Sequence, residues 1–166
     1  MIAELDSLPD AVFKTLSDGS IQTFESREIF DQCTTLIIGV IGPFSPICTA
    51  RHLPEYIPYV AQLVEAKLVD SVACIAAADP FSMSAWAAQL GCPSNLKMLT
   101  DTGAAFAEKL GLSVDLSELG MGLRSTRYAM LVQDNKVAML KRESKFNVLE
   151  ETSKESVEVA LNRMWS

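Results

Sequence analysis

Cys48 lies in the stretch GVIGPFSPICTARHLPEYI, residues 39 to 57, three residues after Ser45 and where an apolar run meets a helical pattern. Beyond packing, the chemistry to weigh for a thiol at such a junction is attack as the thiolate. An ordinary thiol, with a pKa near 8.5, is only about 3% ionised at pH 7, so a nucleophilic Cys48 requires a group that holds the anion. The first turn of a helix offers unpaired N–H groups and the positive end of the helix dipole. A nearby guanidinium adds a larger effect, each unit of depression being worth about 1.4 kcal/mol. The Ser45 hydroxyl can turn toward the sulfur or toward a bound oxygen species. Against this stands the plain alternative for a lone cysteine, a small, buried and inert side chain.

The remaining chemistry-bearing residues narrow the choice. Cys33, Cys48, Cys74 and Cys92 are spaced by neither a C-x-x-C redox pair nor a zinc pattern, and His52 is the one imidazole of the chain, so a metal site has little to build on. No cofactor is expected. A net charge of -7 with scattered basic residues argues against nucleic acid, whose binding relies on Lys and Arg displacing counterions. The longest apolar stretch, LIIGVIGPF, is too short to span a bilayer, and the acidic start MIAELDSLPD lacks the pattern of a signal peptide. A cytoplasmic protein with reduced thiols and no membrane contact is expected. His52 reads as a hydrogen-bonded helix residue, and Trp86 with Phe81 and Met83 as a packing face or dimer contact.

The elements that must position Cys48 follow from local signals. VFKTLSDGSIQTF reads as a hairpin turning at Asp18-Gly19, SREIFDQ as a short helix, and TLIIGVI as a central strand covered on both faces. From Ser45 to about Lys67 the apolar residues Leu53, Tyr56, Ile57, Val60 and Val64 share one helical face, and Pro54 and Pro58 predict a kink or an irregular first part. VDSVACIAA is the next strand, and DPFSMSAWAAQLG a helix with Asp79 as N-cap, Pro80 at its first position and Gly91 as its stop. KMLT reads as a strand, DTGAAFAEKLG as a capped helix ending at Gly111, and SVDLSELGMGLRS as a long polar loop. A second hairpin around Gln133-Asp134-Asn135 and an amphipathic helix, SKESVEVALNRMW, close the chain. Residues 1–166 thus read as a single α/β domain, with a mixed central sheet, helices on both faces and an N-terminal β-hairpin. The ββα ending is what a thioredoxin-like fold would give.

Three separated segments carry a family resemblance. GPFSPICTARHLPEYI, CIAAADPFSMSAWAAQLG and LTDTGAAFAEKLGLSVDLSELGMGLRSTRYAMLV occur here in the order, and nearly in the wording, of the type II (type 5) peroxiredoxins. The similarity runs from about Leu8 to Val137 and fades after Arg142. It implies a thioredoxin-like fold and a thiol-dependent peroxidase that reduces hydrogen peroxide and alkyl hydroperoxides. Carried over by position, Cys48 becomes the peroxidatic cysteine, Ser45 the family's Thr or Ser, and Arg127, directly before the aromatic of RSTRYAML, the active-site arginine. Ser45, Ile47, Cys48 and Arg127 would contact the substrate, Arg127 stabilising both the thiolate and the charge developing on the peroxide oxygens. The product would be a sulfenic acid, which a thiol must reduce before it is over-oxidised.

The family motif Pro-x-x-x-Thr/Ser-x-x-Cys begins here with Ile41 instead of proline, which bears on how the sulfur is shielded. Cys74 matches a cysteine that resolves the sulfenic acid in some relatives and is idle in others; its other reading is a buried packing thiol. No cysteine follows Cys92, so the resemblance implies a one-cysteine cycle with an external thiol reductant, glutathione, glutaredoxin or thioredoxin. It also implies a homodimer, with Pro43, Phe44, Phe81 and Arg124 as contact candidates. Two rival readings are a thiol-disulfide oxidoreductase, disfavoured by the absence of C-x-x-C, and a degenerate relative acting as a redox sensor or binding scaffold.

Overall fold

Asp18 and Gly19, with φ of 50° and 78°, turn the chain between β1 (Val12–Ser17) and β2 (Ser20–Glu25) as the Asp-Gly pair predicts. A computed structural model describes all residues, 1–166. After the hairpin come α1 (Ser26–Phe30), β3 (Thr34–Gly39), α2 (Leu53–Glu65), β4 (Ser71–Ala76), α3 (Pro80–Leu90), β5 (Leu96–Thr100) and α4 (Ala105–Leu110). Then follow β6 (Ser113–Asp115), β7 (Leu123–Ser125), β8 (Tyr128–Gln133), β9 (Lys136–Arg142) and α5 (Lys154–Trp165). The main sheet has the order β2-β1-β5-β4-β3-β8-β9. β3, β4 and β5 pair in parallel, whereas β8 joins β3 antiparallel and β9 joins β8 antiparallel, so the sheet is mixed as expected.

Each face of the sheet carries its own core. Leu36 and Ile38 of β3 and Ala129 and Leu131 of β8 point into one cluster with Leu53 and Tyr56 of α2, Trp86 of α3, and Val157 and Leu161 of α5. Ile37, Tyr128, Met130 and Val132 point the other way, toward Phe30 of α1 and Phe106 and Leu110 of α4. This period of two is what puts successive strand residues on opposite faces. Gly39 is required by the packing: a Cβ there would lie 2.0 Å from the ring of Tyr128, its cross-strand partner.

α3 is capped as its sequence predicts. The Asp79 carboxylate accepts from the Ser82 N–H at 2.9 Å, Pro80 opens the helix, and Gly91 ends it at a φ of 68°. The stretch expected to be one long loop is different: β6 and β7 form a two-stranded antiparallel ribbon with Val114 opposite Arg124. Strands of three residues are too short for alternation to show in sequence.

Candidate active site

The Ser45 carbonyl accepts the Thr49 N–H at 2.9 Å, so the helix carrying Cys48 begins at Ser45, with Pro46 as its first residue. Cys48–His52 forms a π-helical turn that runs directly into α2. The irregularity expected from Pro54 is thus a widened turn. A proline ring crowds the carbonyl four residues earlier, here that of Ala50, and an i→i+5 turn at that point moves the carbonyl away. The turn places Cys48 within the first turns of the helix, where N–H groups lack intrahelical partners.

Cys48 is fully buried, in one apolar cluster with Ile41, Leu53, Cys74 and Ala129. Ile41, 2% exposed, is buried in the same cluster as Cys48, at the position that the family motif gives to proline. The Ser45 hydroxyl donates to the Gly42 carbonyl at 2.8 Å, which leaves its oxygen lone pairs free to accept. Ile47, between Ser45 and Cys48, is half-buried. On the far side of the turn Trp86 donates its indole N–H to Thr49 Oγ1 at 3.0 Å, so the residue after Cys48 is tied to α3.

Arg127 precedes β8, and the strand's alternation puts it on the face of Ala129 and Leu131, the side on which Cys48 packs. It is 2% exposed. Its Nη1 donates to the carbonyls of Phe146 and Val148, the latter at 3.3 Å, and its Nε is buried without a partner. Arg127 thus shares a core face with Cys48, while its hydrogen bonds run to backbone carbonyls rather than to Cys48 or Ser45. Arg124 has a separate task. Its Nε donates to the Met121 carbonyl at 2.8 Å and its Nη1 to the Ala77 carbonyl at 2.9 Å. Gly42 lies so close that a Cβ there would sit 2.6 Å from that Nη1. Two carbonyls satisfy it, and it braces the loop leading to Cys48.

Two buried groups beside Arg127 were not singled out for chemistry by the sequence. His52, one helical turn after Cys48, is fully buried, stacks edge-on against Tyr56 at 5.7 Å, and makes no hydrogen bond through either ring nitrogen. His52 stands in the helix as expected from the sequence, but buried and without a well-formed hydrogen bond to its ring. Burial and then the Arg127 charge push its pKa down to about 3, against a smaller opposite pull from the Thr152 backbone and Glu143. It is neutral near pH 7. Glu143, 1% exposed, accepts from the N–H groups of Glu150, Glu151 and Thr152 and from the Thr152 hydroxyl, at 2.6 to 3.1 Å. Burial alone would raise its pKa, but the hydrogen bonds from Thr152, Glu150 and Glu151 win and hold it below the usual carboxylate range.

Cys74 sits mid-strand in β4, fully buried, with its thiol pKa pushed well up, first by burial and then by the neighbouring Cys48 and Cys92. Cys33 and Cys92 are half-buried, and all four cysteines are free thiols. Phe44, 48% exposed, is held at a φ of 64°, and Phe81 is 59% exposed.

Comparison with known proteins gives this geometry its context. The Redoxin family model matches residues 3–157. Peroxiredoxin-2C of Oryza sativa subsp. japonica is 36% identical over 126 residues, 70% of this chain and 77% of that protein. The chloroplastic Peroxiredoxin-2E of Arabidopsis thaliana is 34% identical over 124 residues; 72% of this chain is matched, to 53% of that longer protein. Among solved structures, reduced Prx3 of Vibrio vulnificus in complex with hydrogen peroxide superposes with a TM-score of 0.89 at 34% identity, covering 97% of this chain and 99% of that one.

Proposed function

The chain belongs to the Redoxin family, and we propose that Cys48 is its peroxidatic cysteine. The protein is a thiol peroxidase, an oxidoreductase of the peroxiredoxin type on a thioredoxin-like fold. The observation that carries the assignment of the site is the placement of Cys48: buried, at the start of a helix, behind Ser45 and on the core face of Arg127.

The reaction follows from the groups present. The Cys48 thiolate attacks one peroxide oxygen in line with the O–O bond. That bond breaks, the sulfur is oxidised to sulfenic acid, and the other oxygen leaves as water or an alcohol after taking a proton. Ser45, its proton held by the Gly42 carbonyl, presents its free lone pairs to accept from the peroxide O–H, and Ile47 and the first-turn N–H groups form the wall beside it. The Nη2 of Arg127, which makes no hydrogen bond within the protein, is the donor left to stabilise the negative charge on sulfur and oxygen. A first external thiol then condenses with the sulfenic acid, releasing water and leaving a mixed disulfide. A second thiol displaces Cys48 and restores it.

Cys74 has the wrong properties for the second nucleophile, since its thiolate is strongly disfavoured by burial. The electron donor is therefore an outside thiol of the glutathione, glutaredoxin or thioredoxin class. Residues 1–166 act as one domain. The exposed Phe44 and Phe81, with Pro43 and Arg124 beside them, form the face for a second copy of the chain. Four free thiols and an acidic charge suit a reducing cytoplasm, and no helix is long and apolar enough to cross a membrane.

The test is stoichiometric. Reduced protein without a donor should consume hydrogen peroxide in a fast phase of one equivalent per chain with no catalytic turnover after it, and turnover should return when glutathione or a thioredoxin system is added. Continued consumption without any donor would contradict a thiol cycle.

A further inference from the structure

We propose that Glu143 is a positioning residue for the peroxidase reaction, acting through Arg127. The inference rests on the reading of Arg127 as the group that stabilises charge at Cys48. An arginine has many rotamers, and burial of Arg127 with an unpartnered Nε does not choose among them. What holds the guanidinium is the 143–152 loop, whose Phe146 and Val148 carbonyls both accept from Nη1.

The loop that carries those carbonyls is closed at its far end by one carboxylate. The Glu143 N–H donates to the Arg127 carbonyl at 3.0 Å, so the two residues sit side by side across the strand pair. From there the Glu143 side chain reaches to the far end of the loop. Its Oε2 takes the Glu150 N–H, the Thr152 N–H and the Thr152 hydroxyl, and its Oε1 takes the Glu151 N–H. The chain between is thereby folded back over the start of β8. Tyr56 of α2 completes the ring, donating to the Thr152 carbonyl at 2.6 Å. The helix that carries Cys48, the loop and Arg127 are thus joined through a single buried anion.

Loss of that anion leaves three N–H groups and a hydroxyl without a strong acceptor, and a charge-assisted acceptor is roughly twice as strong as a neutral one. The loop opens, and Arg127 loses its anchor without itself being altered. Glu143 touches neither substrate nor sulfur, so its effect must pass through Arg127, and that distinguishes it from a general prop of the fold.

The experiment is a double-mutant cycle on the rate of reaction with hydrogen peroxide, with near-ultraviolet circular dichroism confirming that each variant is folded. Arg127→Gln should cost about 10²-fold, the scale of losing one donor to a developing oxyanion. Glu143→Gln should cost about tenfold in the wild-type background and less than about twofold in the Arg127→Gln background, because coupled residues are non-additive. Thr152→Val removes one donor and keeps the carboxylate; it should show a smaller loss of the same dependence, and it decides the matter if Glu143→Gln does not fold. Equal losses in both backgrounds, or no loss in the wild-type background, overturn the proposal. If Arg127→Gln costs nothing, the reading of Arg127 falls with it; if Arg127→Gln costs rate and Glu143→Gln does not, only the role of Glu143 falls.

Discussion

Trp86 donates its indole N–H to the Thr49 hydroxyl across 3.0 Å, linking α3 to the residue directly after Cys48. A π turn is a rare interruption of the α-helical ladder, and here a side chain from another element ties down one of its members. The turn that carries the thiol is held from outside its own helix.

Trp86→Phe keeps most of the apolar volume and removes that bond. The Thr49 hydroxyl loses its partner, which should cost about 1–3 kcal/mol of stability in urea unfolding. Alkylation of Cys48 by iodoacetamide at fixed pH should become faster, because the turn opens more often. An unchanged alkylation rate would show that the bond does not restrain the turn.

His52 gives the protein an acid-sensitive stability of its own. Its pKa is about 3 in the fold and near 6.5 when unfolded. Below pH 6.5 the unfolded chain therefore binds a proton that the folded chain refuses, and stability falls by about 1.4 kcal/mol per pH unit as the pH drops further toward 3. Glu143, Asp79 and Asp115, all held below the ordinary carboxylate range, add their losses only at lower pH, and Asp101, raised by burial, acts in the opposite sense. His52 is the only histidine, so the slope of stability between pH 6.5 and 5 is compared with and without it. His52→Phe should flatten the stability profile in that window, and a slope that persists would assign it elsewhere.

Cys74→Ala should leave peroxide turnover with an external thiol within about twofold of wild type, since a buried thiol with a strongly raised pKa supplies almost no thiolate. Steady-state assays with glutathione and with thioredoxin would reveal a resolving role as a collapse of one or both.

Ile41→Ala should open the apolar cluster around the sulfur. Removing a buried isoleucine costs about 2–5 kcal/mol, read as a lower urea midpoint. Bulky alkylating reagents should reach Cys48 faster while small ones change little. Equal acceleration for both sizes would mean that the loss is general loosening rather than exposure of the thiol.

What was legible in the sequence was what is encoded by neighbours. Asp79, Pro80 and Gly91 mark both ends of α3, Asp18-Gly19 turns the first hairpin, and Ser45 with Cys48 announces a helix start. β6 and β7 escaped because each has three residues and their pairing joins Val114 to Arg124 across a loop. Pro54 signalled an irregular helix, but not that the backbone would widen into a π turn. Arg127 was found through the family resemblance, whereas its hydrogen bonds to Phe146 and Val148 depend on a loop past Arg142, where the resemblance read in the sequence fades. Glu143 is one acid of three in KRESKFNVLEET, with no local signal to single it out; only the folded loop makes it a buried acceptor. The neutral state of His52 likewise arises from burial beside a cation, a tertiary effect.

The most direct test of the central claim is to mix fully reduced protein with hydrogen peroxide in the presence of a sulfenic-acid trap and a parallel donor-coupled assay, comparing wild type with Cys48→Ser. The account predicts that the trap maps to Cys48 and that Cys48→Ser loses turnover. A Cys48→Ser protein that retains full turnover, or a trap that maps to Cys33, Cys74 or Cys92 instead, would contradict it.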